Sequence, residues 1–541
     1  MNLLLKPWLV GVAFPVNRKV GRVTPCAPPL APKPSNGAHG GATRPTNILG
    51  SWSRFTLNMA FPFFLATAFS SWSQSPGALR REPNTTLRLP LTLEDPTALP
   101  PTLADTGAFS DLINLTPNTG IVPYDLNVQF WSDGARKARW FCLPDTNLKV
   151  GFEREANWSF PTGTVWIKHF ELQLTNGVPN SARRIETRFL VRSVEGVYGV
   201  TYRWDDTQTN ATLVAAEGLD EDIDIQDQRE THTQVWHYPS RRECLRCHSQ
   251  VAGWSLGFNT AQLNREFNYG GVTNNQITAL NQAGYFTTDV TGIHTLRALA
   301  AATNTAWSLE YRVRSYFAAN CVQCHQPGGE TINPWDARIT TPTVAARIIN
   351  GPLAFPFRNN PTGRVIVPGS LERSIIFYRI SNLNSFHMPP LATTVVNTEA
   401  VNLLSEWITN ALTNYQSFPD WRLAFFNSTD LPSAAPDADP DGDGAVNQLE
   451  YLAGSNPSLG GDAWKISIQP KASSVQILFP RLVNRAFEVQ WSTNLSDAKS
   501  WVVLDHPDNR PFFSSTNGQA MIEDVTASSS ARFYRVGIYE P

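Results

Sequence analysis

Between residues 158 and 206 the chain alternates apolar and polar side chains, in WSFPTGTVWIKHFELQL (158–174), RRIETRFLVRS (183–193) and YGVTYRWDD (198–206). A period of two, rich in aromatic and β-branched residues, predicts half-buried strands, and the intervening Gly, Pro, Asn and Asp predict turns. Residues 106–240 are therefore expected to form a β-rich domain, in which the acidic run Glu217–Asp227 reads as a solvated loop. Helical spacing takes over in TAQLNREF and NNQITALNQAGYF, with Gly284 as a helix stop. Ser308 is placed to cap a helix carrying Leu309, Val313, Tyr316 and Phe317 on one face. LERSIIFYRI (371–380) predicts a second helix, and a third starts near Asn397 or Thr398 with Val401, Leu404, Trp407 and Ile408 on one side. From 463 to 541 the alternation returns in WKISIQ, VQILFPR, AFEVQWSTN and RFYRVGIY. The fold class expected is multidomain α+β: a β-rich N-terminal domain, a helical region over 241–300 and 301–415, and a C-terminal all-β sandwich over 463–541.

Composition changes the picture mainly at the ends. Residues 75–105 are Pro/Thr/Leu-rich and read as a linker, and 419–457 as a connector. Residues 1–58 include RVTPCAPPLAPKPSNGAHGGATRPTN, which has no apolar period, so they are expected to be a disordered or mis-annotated leader. Arg54 then precedes an apolar run, Met59–Phe69, with small residues at Ala66, Thr67 and Ala68. A basic flank, a short apolar stretch and a small-residue cleavage site predict a secretory signal over 59–74, with translation starting near Arg54 or Met59. No apolar run reaches the ~18 residues that span a bilayer, so no membrane span is expected. The mature chain is expected in the periplasm, or outside the cell or on its surface. With 44 basic and 46 acidic residues the formal charge is −2, which gives no electrostatic case for nucleic acid or an anionic membrane.

The chemistry lies in the cysteines. Four of the six form two C-x-x-C-H groups, Cys244-Cys247-His248 and Cys321-Cys324-His325; Cys142 reads as a small buried hydrophobe, and Cys26 lies in the leader. Two thiols at this spacing add across the two vinyl groups on one edge of a porphyrin, and the adjoining imidazole reaches the iron from one face. Two haem c groups are expected, with His248 and His325 as proximal ligands. For the second, Met388 in Met388-Pro389-Pro390 offers a thioether as sixth ligand, with His387 as its rival. For the first, His169, His232, His237 and His294 are candidates, and an open sixth position is a further one. A zinc site could also use paired C-x-x-C groups, although ribbon-type sites close shorter loops and need no trailing His.

Asp439, Asp441, Asp443, Gly444, Asn447 and Glu450 take the first, third, fifth, sixth, ninth and twelfth places of an EF-hand loop, with the Ala445 carbonyl at the seventh. Hard oxygen ligands at this spacing wrap one Ca²⁺. Pro436 and Pro440 exclude an ordinary entering helix, so the loop resembles the isolated loops of dockerin-like or thrombospondin-like repeats.

Residues 308–415 resemble a class I cytochrome c domain: an N-terminal helix, CVQCH (321–325), VPG (367–369), HMPP (387–390) and a C-terminal helix. The span from about 120 to 415 resembles a bacterial family of dihaem c-type cytochromes. The resemblance is carried by PYDLNVQFWSDGARKARWFCLP, FPTGTVWIKHF, RRIETRFLVR, YRWDDTQTNA, CLRCH, LGFNTAQLNR and ANCVQCHQPGG. It implies haem binding and electron transfer between a redox-protein donor and acceptor. Some members of that family occur near or fused to quinone-dependent sugar dehydrogenases, which makes such an enzyme a candidate partner. An open first haem would instead be similar to the arrangement in dihaem peroxidases and would make the chain an oxidoreductase. A zinc-stabilised surface-binding protein is the third reading.

Overall fold

The structure is a computed structural model that describes residues 8–13 and 79–541, apart from 228–229, 359 and 528–530. The signal segment 59–74 and most of the leader lie outside the described residues. The described residues all belong to one compact unit, a mixed α+β structure whose sheets are antiparallel.

Its centre is a six-stranded meander: Val122–Pro123, Arg136–Cys142, Val165–Gln173, Ala182–Arg192, Val197–Trp204 and Ala211–Leu213, each strand paired with the next. The alternation of the sequence places Trp140, Val165, Ile167, Phe189, Val200 and Trp204 on one face and Phe141, Trp166, Leu190 and Val197 on the other. Both faces are covered. Leu99, Leu103, Phe109 and Leu115 pack on the first, and Phe258, Leu263, Ile277, Leu280 and Phe286 on the second. The stretch read as a linker thus departs from that reading from residue 79 onward. Leu99 and Leu103 are buried, and the Tyr202 hydroxyl donates to the Pro100 carbonyl. Pro lowers the propensity for regular structure without removing the apolar area that drives packing.

The acidic run is not a loop. Leu219–Gln226 pairs with Thr231–Tyr238 as a two-stranded ribbon. Ile223 and Ile225 are buried against Trp236 and Tyr238, while Asp220, Asp222 and Asp224 point outward. The aspartates hid a two-residue alternation. Glu221 ties the ribbon to the sheet by accepting from Arg183, Arg203 and Tyr238 at 2.9, 2.7 and 2.6 Å.

Leu309–Asn320 forms as expected, its first turn capped by the Ser308 hydroxyl, which accepts from the Tyr311 amide. It packs with Ile375–Ile380 and Thr398–Glu406, capped by Asn397, around Val313, Phe317, Leu404, Trp407 and Ile408. Two further antiparallel sheets complete the chain. Ser467–Pro470, Val475–Arg481 and Gly518–Asp524 face Ala486–Ser492, Val502–Val503 and Arg532–Tyr539 across a shared core. Six residues of the presumed leader, Trp8–Ala13, pair with the free edge of Arg532–Tyr539. A short run of apolar, β-branched residues satisfies its backbone there, so this part of the leader departs from the disorder expected of it.

Candidate functional site: two adjoining thiol-lined cavities

The first C-x-x-C-H lies on the helix Arg241–Cys247. A capping box starts it: the Ser240 hydroxyl accepts from the Glu243 amide, and the Glu243 carboxylate accepts from the Ser240 amide. The helix rests on the strand Val197–Trp204 at Gly199. There, a Cβ would lie 2.8 Å from Cys244 Sγ and 3.1 Å from Cys244 Cβ. Only a glycine lets the thiol come this close to the sheet. His248 follows as the C-cap, with Nδ1 2.6 Å from the Trp254 carbonyl. Burial, opposed by this hydrogen bond, holds its pKa down to about 4. The neutral ring donates from Nδ1 and leaves the Nε2 lone pair for a metal, the tautomer an iron-binding imidazole requires.

The second motif follows Leu309–Asn320 in a tight turn. The amides of Cys324 and His325 donate to the Cys321 carbonyl at 3.2 and 2.9 Å. The His325 ring stacks on Trp335 at 4.1 Å between centroids. Burial and then Arg379 lower its pKa to about 4. His325 Nδ1 is buried without a hydrogen-bond partner among the described residues. Burial also pushes the Cys247 and Cys321 thiols up to about 12, and raises Cys244 and Cys324.

Each motif opens on its own cavity. Cys244, Cys247 and His248 line one of about 170 Å³. Cys321, Cys324, His325 and Met388 line another of about 590 Å³. The second falls within the roughly 300–1,000 Å³ of ordinary small-ligand pockets, and the first is smaller. Arg246, Gln323, Cys324, Glu330, Pro389 and Pro390 line both, so they form a common wall. The segment after Met388 makes much of it: Met388 faces the second cavity, and Leu391 and Ala392 face the first. Asp133, at the edge of the meander, holds this segment in place. Its buried carboxylate accepts from the amides of Thr394 and Val395 and from the Thr394 hydroxyl, each at 3.0 Å.

The structure also sorts the other predicted ligands. His387 donates from Nδ1 to the Asn384 carbonyl at 2.7 Å and does not line the second cavity. Of the four histidines considered for the first haem, only His237 lines its cavity, and both its nitrogens are engaged, by Asp220 at 2.6 Å and Glu243 at 3.2 Å. His169 is buried beside Thr187 and Glu171, His232 pairs with Asp227, and His294 is exposed. Sequence reasoning missed Lys168, which lines the first cavity between Arg139 and Arg188. Burial, then Arg139, Lys137 and Arg188, set its pKa well below that of an ordinary lysine.

Residues with metal-ligating side chains also converge elsewhere. Among the described residues, groups of three such side chains with ligand atoms within 4.8 Å occur only as Asp439-Asp441-Asp443 and Asp441-Glu450-Asp462. The motif thiols and imidazoles form no such group among the described residues. In the acidic loop, Glu450 is fully buried, and Glu450 Oε2, Asp441 Oδ2 and Asn447 Oδ1 lack hydrogen-bond partners among the described residues. Burial and the carboxylates of Asp441, Asp443 and Asp462 raise Glu450 to about 7. Asp439, Asp441, Asp443, Asn447 and Glu450, with the Ala445 carbonyl, could hold a divalent cation. Asp462 joins them from beyond the loop, a residue the twelve-place pattern does not contain.

No family model matches this chain, and no curated protein or solved structure matches it.

Proposed function

We propose that this chain is an exported dihaem c-type cytochrome that carries electrons between a redox-protein donor and acceptor, in the periplasm or at the cell surface. The observation that carries the reading is the common wall between two cavities, each lined by one complete C-x-x-C-H group. Haem c, when bound, supplies a one-electron iron couple. The chain's own residues fit that group. Cys244, Cys247, Cys321 and Cys324 offer thiols for the thioether bonds, His248 offers a neutral imidazole oriented by the Trp254 carbonyl, and His325 shares its cavity with Met388. A wall made of side chains and one loop keeps the two sites side by side, as a carrier that takes up charge at one face and releases it at another requires. A quinone-dependent sugar dehydrogenase remains the proposed kind of partner. The loop around Glu450 is proposed to bind Ca²⁺ and to stiffen the joint before the C-terminal sheets.

A pyridine haemochrome assay on protein matured in a host with c-type haem assembly tests this reading. Two haems per chain that resist acidic acetone are expected. Colourless protein, or pigment released by the solvent, overturns it.

A further inference from the structure

The first cavity contains His248 but no methionine, and its one other histidine is held by two carboxylates. Its wall carries an unusual row. Arg139, Lys168 and Arg188 stand directly opposite one another on three adjacent strands, and all three line the cavity. Like charges in register destabilise a sheet, so this row is not explained by folding. The outer two have partners. Arg139 donates to Gln129 at 2.5 Å and pairs with Asp125 at 3.5 Å, and Arg188 grips both oxygens of Glu186. Lys168 stands between them with no hydrogen bond or ion pair to the described residues. Its Nζ lies only over the rings of Phe130 and Phe170, at 5.4 and 4.9 Å.

The carboxylates of the cavity are already engaged, Glu330 by Arg246 at 3.9 Å. Glu243 caps its helix and holds His237, and Asp133 anchors the segment at 394–395. An amine that gives up its proton to solvent on binding a metal removes the central charge of the row and offers its lone pair to the metal. We propose that Lys168 Nζ is the sixth ligand of the iron in the first haem. This rests on the dihaem reading above. It makes both sites six-coordinate and closes the first to small oxidants, as suits a carrier.

The test uses the full-length, haem-loaded chain with Lys168→Ala and Lys168→Arg. Arginine keeps the positive charge but stays protonated and has no lone pair for iron. It therefore separates a ligand from a cation that merely pairs with a haem carboxylate. The parent is expected to be wholly low-spin in its ferric electron paramagnetic resonance spectrum and to bind no carbon monoxide when reduced. Both variants should show one high-spin haem, bind one carbon monoxide per chain and keep two haems by haemochrome assay. A low-spin Lys168→Arg protein, or a parent that already takes up carbon monoxide, overturns the assignment. Should neither variant fold, near-infrared magnetic circular dichroism of the parent decides, because an imidazole–amine pair differs there from imidazole–thioether and bis-imidazole pairs. Absence of the amine signature overturns the proposal. A haem count below two in the parent would instead sink the dihaem reading, and this inference with it.

Discussion

Gly199→Ala places a methyl group 2.8 Å from Cys244 Sγ, closer than two such atoms can stand. Gly199 has ordinary strand geometry rather than a positive φ, so alanine is conformationally allowed. On backbone grounds alone the change would stabilise the fold by about 0.4–1 kcal/mol, through the unfolded chain. Overpacking opposes this. The strand is the fifth of six in the meander and is paired at Gly199 with Leu190, the helix is clamped by its capping box, and a clash of this kind costs about 1–3 kcal/mol. Overpacking wins, and the net loss should be about 1–2 kcal/mol, or a few degrees in Tm. The greater effect is local. The helix must lift and carry Cys244 away from the sheet, so the first haem should attach incompletely while the second attaches fully. Thermal melts and mass spectrometry of the haem-bearing peptides would read both effects. Gly518→Ala is the control, because open space surrounds its Cβ position, and it should be neutral or slightly stabilising. Parental stability together with full attachment at Cys244 in Gly199→Ala would refute the packing argument.

Three further outcomes are expected. Met388→Ala should turn the second haem high-spin while leaving the number of attached haems unchanged, as read by absorption and haemochrome assay. Burial alone would raise Glu221, but its hydrogen bonds with Arg203 and Tyr238 and the charge of Arg183 hold it down to about 2. A depressed carboxyl contributes stability above its unfolded pKa near 4.5, and loses it as pH falls toward 2. Glu221→Gln should therefore cost about 1–2 kcal/mol at pH 7 and nothing near pH 2 in denaturant titrations. Saturating Ca²⁺, at roughly 10–100 times a Kd of about 10⁻⁴–10⁻³ M, should stabilise the chain by about 1.4–2.7 kcal/mol. Glu450→Gln should abolish that response while raising Tm in chelator, because it removes one of several crowded carboxylates.

Local features of the sequence were the most legible. The meander could be read because each strand declares its own alternation, and both C-x-x-C-H groups because their ligands are neighbours in the chain. The helix from Leu309 followed from a cap and a stripe. Features that depend on register were not legible. Arg139, Lys168 and Arg188 are unremarkable polar positions on separate strands until pairing lines them up. The ribbon at 219–226 was masked because its aspartates dominate the composition, although Ile223 and Ile225 hold the two-residue period. Asp462 lies beyond the loop pattern and reaches Glu450 only once the chain turns back. The common wall needs Met388–Ala392 to fold over from a distant part of the chain. Its anchor, Asp133, has no local signature at all.

Intact-mass measurement of the exported protein tests the central claim most directly. The parent should weigh the polypeptide plus two haems. Replacing Cys244 and Cys247 together by alanine, or Cys321 and Cys324 together, should each remove one haem and leave the other in place. A parent mass equal to the bare polypeptide, or double variants that keep the parental pigment, would contradict the account.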